Sequence, residues 1–191
     1  MDSLQKTRTG NIIGPWDRPD TSVVRFAMRR SLDILPHDRP LPFGYRIEPW
    51  CEPMLPAYAA VLAVAFSDSS DLDFYNRLSS REGCREIMLD LVNNPGFMSG
   101  GSWLVFFNRE PAAMIISSRE PGKDKGCVEV VAVAPRHRRV KVGSHLVGKA
   151  LWAFRDRRLS EVHCGVNRPN RNAVRFFRSL GFQAKGSEEF L

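Results

Sequence analysis

The pattern of apolar and polar positions predicts short strands and two helices in the first part of the chain. Apolar residues recur at helical spacing across 53–66. Ser79, with Glu82 three residues on, predicts the N-terminus of a second helix. Alternating or continuous apolar runs predict strands at 43–49, 102–107, 112–118 and 127–134.

In the second part of the chain, strands and helices alternate. A helix after Gly143 carries its apolar residues on one face, and a strand follows at 161–166. Asn170 is a good N-cap for the last helix, and Gly181 ends that helix in the C′ position. Antiparallel strands followed by this alternation predict an α+β fold, with a mixed, mostly antiparallel central sheet flanked by helices on both faces.

The two ends of the chain bear on how this sheet is completed. Residues 1–42 are predicted to be an N-terminal arm with an extra strand within 22–32, and residues 43–191 to be the main domain. After Phe182 there is room for one strand only, so one edge of the sheet would stay open. We expect the strand near 23–28, or a partner subunit in a homodimer, to cover part of the sheet.

The net charge of +7 is concentrated in the last third of the chain. Residues 136–191 contain 13 Lys and Arg against 4 Asp and Glu, a net charge of +9, so residues 1–135 have a net charge of −2. A solvated basic face is one interpretation, and attraction of an anion is the other. Nucleic acid is not the expected partner, because Phe176 and Phe177 lie at the helical spacing of core residues rather than as stacking platforms between the charges.

Composition excludes several classes of protein. No apolar run approaches the roughly 20 residues that a membrane span needs. The N-terminus lacks the apolar segment of a secretion signal, so a cytoplasmic location is expected. The four cysteines have no C-x-x-C spacing, and no metal site is predicted.

The most informative segment is the basic loop, residues 136–144, between the apolar strand 127–134 and the next helix. Free N–H groups and the dipole at a helix N-terminus favour a phosphate-bearing ligand. Strand, loop and helix together resemble the acyl-CoA-binding core of the GNAT superfamily of N-acetyltransferases. That family's loop motif, Arg/Gln-x-x-Gly-x-Gly/Ala, aligns from Arg138 to Gly143, and Lys141 stands at its middle glycine.

A second segment carries the same resemblance, which is strongest over residues 129–182. Asn170-x-x-Ala173-x-x-Phe176-Phe177-x-x-x-Gly181-Phe182 is similar to the family's Asn-x-x-Ala-x-x-x-Tyr-x-x-x-Gly-Phe. Phe177 stands where many relatives carry a tyrosine that can protonate the departing CoA thiolate, and phenylalanine has no proton to give. Either the thiolate leaves without this help, or water or another group serves, or the protein does no chemistry.

The resemblance implies acetyl-CoA as co-substrate. The implied contacts come from the strand residues Val131, Ala132 and Val133, from the loop, and from Asn170 and Phe177. The loop residues concerned are Arg138, Arg139, Val140, Lys141, Val142, Gly143 and Ser144. In the family the strand contacts use backbone groups, and the N–H of Val133 would polarise the acetyl carbonyl.

Transfer to an amine also needs a group that accepts the amine's proton. Glu129 is the best-placed carboxylate for this catalytic role, although a surface or cross-strand ion pair is the slightly favoured explanation of this residue. His163 and His137 are weaker candidates.

The acceptor implied by the resemblance is a small-molecule or peptide amine. It would lie against the helices predicted at 53–66 and 80–93 and the loop 67–78 between them. Asp68, Asp71 and Asp73 in that loop could attract a cationic amine or could simply be solvated. The alternative to an enzyme is a non-catalytic acyl-CoA-binding or regulatory module with the same fold.

Overall fold

The structure is a computed structural model that describes residues 25–37, 40–73, 75–167 and 169–184. Its strands are β1 (Arg25–Ser31), β2 (Tyr45–Pro49), β3 (Trp103–Phe107), β4 (Glu110–Arg119), β5 (Lys125–Val133), β6 (Glu161–Asn167) and β7 (Gln183–Ala184). Its helices are α1 (Leu55–Phe66), α2 (Arg81–Val92), α3 (Val142–Asp156) and α4 (Arg171–Ser179). The seven strands form one sheet in the order β2-β3-β4-β5-β6-β1-β7.

The predicted α+β fold is confirmed. β5 and β6 are parallel, and every other neighbouring pair of strands is antiparallel. One apolar core lies between the sheet and α1 with α2, and a second lies between the sheet and α3 with α4. Within the described ranges, no helix combines the length and apolar character that crossing a membrane requires.

The start of α2 differs from the prediction by one residue. Ser80, not Ser79, is the N-cap, and its hydroxyl accepts a hydrogen bond from the N–H of Gly83 (3.0 Å). Ser79 instead donates its hydroxyl to the carbonyl of Asn76 (2.6 Å) and ends a short 3-10 turn. Both serines fit the sequence pattern, and the preceding turn decides which of them caps the helix.

The expected N-terminal strand lies inside the sheet. β1 pairs with β6 from Arg25 opposite Asn167 to Ser31 opposite Glu161, and its other edge pairs with β7. Residues 1–24 lie outside the described residues. A homodimer partner and the division of the chain at residue 42 stay predictions.

We predict that β1 is essential to stability. Met28 is 1% exposed and belongs to the core beneath α3 and α4. Met28→Ala should lower the free energy of unfolding by about 2–5 kcal/mol, because a buried side chain is replaced by a cavity. Urea unfolding followed by circular dichroism measures this loss.

Arg29→Ala is the matched control on the same strand. The Arg29 side chain is about half exposed, and its Nη1 lies 3.7 Å from Glu161 Oε2. Its loss should change stability by no more than about 0.5 kcal/mol. Equal effects of the two substitutions would show that β1 is not packed as described.

Candidate active site

A one-residue β-bulge shapes the centre of the sheet. Along β4 and β5, Ile116 pairs with Val130, whereas the next residue, Ser117, pairs with Val128. Glu129 is therefore an extra residue on β5 with no counterpart on β4. A bulge of this kind bends its strand and increases the local twist.

Beyond the bulge, β5 and β6 separate. Their pairing ends at Val128 and Cys164, although β5 continues to Val133 and β6 to Asn167. A cavity of about 260 Å³ lies between the separated strands. Its walls come from β5, β6 and α4, and from Phe66, Asp71 and Tyr75 at and after the end of α1.

The pairing of β5 with β4 decides which backbone groups face this cavity. The N–H of Ala134 donates to the carbonyl of Ala112 (2.9 Å), so the preceding residue, Val133, is in a non-hydrogen-bonded position of the ladder. The N–H and C=O groups of Val133, and by alternation those of Val131, point away from β4 and into the gap. The backbone of Ala132 points toward β4, so of the three predicted strand contacts it is the one turned away from the cavity.

The basic loop has a left-handed backbone at two positions, and this is a conformation that glycine adopts without strain. Lys141 precedes α3 with φ +67° and ψ 8°, and Arg139 has φ +68°. This left-handed conformation gives a physical reason for glycine at the aligned position of the family motif. Lysine occupies it at a cost of roughly 1–2 kcal/mol, with its side chain exposed. Lys141 therefore departs from the motif in residue type, but the backbone at this position is still left-handed.

α3 begins with amides that its own ladder does not use. The first bond at its start runs from the N–H of His145 to the carbonyl of Lys141 (3.0 Å), so the N–H groups of Val142, Gly143 and Ser144 precede the helical bonds. A Cβ on Gly143 would lie 3.3 Å from the Val133 side chain. Glycine there allows the helix to start close to the end of β5.

The side chain of Arg138, the first residue of the loop motif, is bound to other residues of the protein. Its guanidinium forms a two-pronged ion pair with Asp68 (2.7 and 2.9 Å) and donates to the carbonyls of Ala65 (2.7 Å) and Val133 (3.2 Å). The hydrogen bonds from Arg138 hold the pKa of the Asp68 carboxyl below its usual value. Asp68 is therefore bound to Arg138, and Asp73 is exposed.

Asp71 is the aspartate of the 67–78 loop that reaches the cavity. It is 5% exposed, and its carboxylate accepts hydrogen bonds from Asn167 Nδ2 (2.6 Å), Asn170 Nδ2 (2.7 Å) and the Ser69 hydroxyl (2.9 Å). The Tyr75 hydroxyl donates to Asn167 Oδ1 (3.1 Å). Sequence reasoning missed Tyr75 and Asn167, because no local pattern links residues more than 90 positions apart.

The last helix is built as predicted at both ends. The side chain of Asn170 accepts from the N–H of Ala173 (3.0 Å) and caps the helix, while Gly181 has φ +82° just after it. Because Asn170 also donates to Asp71, both ends of its amide already have partners. Phe177 is buried in the cavity wall, where it packs against the ring of Phe182.

Glu129 lines the cavity, and its carboxylate accepts a hydrogen bond from the hydroxyl of Ser118 on β4. Within the described ranges it forms no ion pair, so the cross-strand pair that would also have explained it is not formed there. His163 instead bonds to Glu161 on its own strand (Nε2 to Oε1, 2.7 Å).

His137 is buried beside the loop as a neutral imidazole. Its Nε2 accepts from Arg136 Nε (3.1 Å), so its Nδ1 carries the proton and donates to the Tyr45 hydroxyl (2.9 Å). Burial, together with the positive charge of Arg136, lowers the pKa of His137. Its role is to hold the loop against β2, away from the cavity.

The fold and the site define a class of α+β proteins in which a cavity opens between two parallel strands of a mixed sheet, next to the free N-terminus of a helix. The chain belongs to the acetyltransferase (GNAT) family, whose family model matches residues 66–182.

Solved structures share this fold at low sequence identity. A GCN5-related N-acetyltransferase from Sphaerobacter thermophilus is 18% identical, with a TM-score of 0.66 over 84% of this chain and 48% of that one, so the present chain spans about half of its length. The PaiA N-acetyltransferase from Thermoplasma acidophilum, in complex with coenzyme A, is 14% identical, with a TM-score of 0.60 over 75% of this chain and 92% of that one. The ribosomal-protein-S18-alanine N-acetyltransferase from Escherichia coli is 18% identical, with a TM-score of 0.54 over 74% and 79%.

We predict that His137 makes stability depend on pH. Its pKa in the folded state is below the unfolded value of about 6.5, so the unfolded chain binds a proton first as the pH falls. The contribution of His137 should therefore be constant above about pH 7.5 and decline as the pH falls through 6.5. Urea unfolding at intervals between pH 8 and pH 5 should show this decline.

His137→Gln should flatten that part of the profile, since glutamine does not titrate. His37→Gln replaces an exposed histidine and is the control, which should leave the profile unchanged. The assignment would be wrong if the wild-type protein and His137→Gln lost stability in parallel over this range.

Proposed function

We propose that the protein transfers the acetyl group of acetyl-CoA directly to a primary amine. The observation that carries this proposal is the gap opened by the bulge, into which the backbone groups of Val131 and Val133 point beside the free amides of α3. The fold family and the coenzyme A complex of one structural neighbour support the same conclusion.

The residues at the start of α3 fit the pyrophosphate of the co-substrate. The N–H groups of Val142, Gly143 and Ser144 offer donors at the positive end of the helix dipole. Arg139 and Lys141 are exposed next to them and add positive charge. The Arg138 side chain is bound to Asp68, so in this proposal Arg138 contributes through its backbone.

The thioester carbonyl would lie in the gap near Val133, whose N–H is directed to polarise it. Attack by the amine forms the C–N bond, and the electron pair of the breaking C–S bond leaves on sulfur. Glu129 accepts the proton of the amine, directly or through one water. Phe177 gives no proton to the thiolate, which leaves unprotonated or takes its proton from water or another group.

The acceptor would enter from the face of α1 and α2, where Asp71 and Glu129 are the carboxylates of the cavity. Asp68, by contrast, is paired with Arg138, and Asp73 is exposed. Two carboxylates in the cavity favour a small-molecule or peptide amine that is positively charged in solution. A cytoplasmic location and a homodimer remain part of the prediction.

A non-catalytic acyl-CoA-binding module is the second candidate. The observation that favours it is Phe177, a hydrocarbon ring buried in the wall of the cavity. Such a module would bind acetyl-CoA without consuming it.

We expect the protein to release free thiol from acetyl-CoA in the presence of a suitable amine. The panel comprises a polyamine, an aminoglycoside, a peptide with a free N-terminus and a peptide with an internal lysine. Thiol release is followed by colour reaction and the acetylated product by mass spectrometry. Binding of acetyl-CoA without thiol release for any amine would favour the module.

We predict that Ser144→Asp weakens acetyl-CoA binding at least about tenfold in a calorimetric titration. A carboxylate at this position would repel the pyrophosphate at the helix N-terminus, and tenfold corresponds to about 1.4 kcal/mol. The same charge interacts favourably with the helix dipole, so the variant should be as stable as the wild type or up to about 1 kcal/mol more stable. Loss of binding without loss of stability identifies the phosphate site.

Two controls sharpen this titration. Ser144→Ala removes the hydroxyl without adding charge and should bind within about twofold of the wild type. Lys141→Gly relieves the left-handed strain but removes an exposed cation, so it should raise stability and weaken binding less than Ser144→Asp does. Equal binding by Ser144→Asp and Ser144→Ala would place the phosphates elsewhere.

A further inference from the structure

The hydroxyl of Ser118 holds the carboxylate of Glu129 across the bulge. Ser118 is on β4 and 6% exposed, and its Oγ donates to Oε1 of Glu129. Val128 forms the last pair between β5 and β6, and Glu129 is the next residue of β5. The hydrogen bond therefore fixes a side chain at the point where the cavity begins.

Among the residues the structure describes, Ser118 is the one hydrogen-bond donor to the side chain of Glu129. The other titratable or charged side chains that line the cavity are Asp71, Tyr75, Arg138 and Cys164. Arg138 is paired with Asp68, and Asp71 takes its hydrogen bonds from asparagine and serine. None of them supplies a cation to Glu129.

We propose that Ser118 is a positioning residue that holds Glu129 ready to accept the proton of the acceptor amine. This inference rests on the proposed function, in which Glu129 receives that proton. The Ser118 hydroxyl bonds to Oε1, and no described residue donates a hydrogen bond to Oε2 of this cavity-lining side chain.

The neighbouring serine provides a matched control. Ser117 is fully buried on the same strand, and its hydroxyl has no hydrogen-bond partner within the described ranges. Ser117→Ala and Ser118→Ala remove the same atom from adjacent positions. Only the second removes a contact to Glu129.

The test compares kcat and KM for both alanine variants and the wild type, with the amine that gives the fastest turnover. We expect Ser118→Ala to lower kcat roughly tenfold, because the proton acceptor is no longer held in place. KM for the amine should stay within about twofold of the wild-type value, since Ser118 is not among the described residues that line the cavity. Binding of acetyl-CoA, measured by calorimetry, should not change.

Three further results decide the proposal. Ser118→Thr keeps the hydroxyl and should restore kcat to near the wild-type value, with KM unchanged. Ser117→Ala should leave both at wild-type values. In the background of Glu129→Gln, which should itself be slow, Ser118→Ala should cause no additional loss, since the two residues act through one proton acceptor.

The contrary outcomes are distinct. If Ser118→Ala matches Ser117→Ala in kcat and KM, the positioning role is wrong while the acetyltransferase function stands. If Glu129→Gln keeps the wild-type kcat, Glu129 is not the proton acceptor and the role of Ser118 falls with it. If the wild-type protein binds acetyl-CoA and acetylates no amine, the proposed function itself is wrong, and with it this inference.

Discussion

The single extra residue at Glu129 is the constraint on which the site depends. Side chains of a regular strand alternate between its two faces, so Val128, Val130 and Ala132 would share one face of an unbroken β5. In the structure, Val128 packs in the core beneath α3 and α4, whereas Val130 and Ala132 pack beneath α1 and α2. The bulge thus reverses the faces of the strand at its midpoint. It also bends β5 away from β6 and turns the backbone of Val131 and Val133 toward the gap.

Where β5 and β6 separate, their backbone groups lose their partners on the neighbouring strand. The segment after α1, which carries Asp68 and Asp71, contacts both strands at this opening. At one side, Arg138 ties this segment to the end of β5 through Asp68 and the carbonyls of Ala65 and Val133. At the other side, Asp71 ties it to the end of β6 and the start of α4 through Asn167 and Asn170. Asp68 and Asp71 thus attach this segment to both of the diverging strands, and the width of the cavity depends on these two contacts. Arg138 neutralises the charge of Asp68, whereas Asp71 is held by neutral donors, so the aspartates of this loop are not equivalent toward a ligand.

The parts of this molecule that the sequence predicts are those set by local chemistry. Asn170 and Gly181 bound their helix as expected, because a cap and a left-handed end need only the residues of one or two turns. The strands and the helix faces follow from periodicity. The bulge does not follow from periodicity, because the sequence alone shows Glu129 as one more residue of a long strand. Only the pairing with β4 shows that it is an extra residue. The distant partners of Asp71 and Arg138 cannot be predicted from the sequence either, because these contacts join positions 70 to 99 residues apart in the chain.

The distribution of charge argues for a direction through the cavity. The chain is basic overall, and its exposed Arg139 and Lys141 flank the free amides of α3, where an anion is favoured from both sources. Inside the gap the balance reverses among the residues that the structure describes. The cation of this lining, Arg138, is paired with Asp68, while the described donors to Asp71 and Glu129 are neutral. An anionic ligand is thus attracted to the α3 side and a cationic one to the side of α1 and α2. The two directions meet at Val133, where the backbone points into the gap, and this arrangement of charge is the one that the proposed transfer from acetyl-CoA to an amine requires.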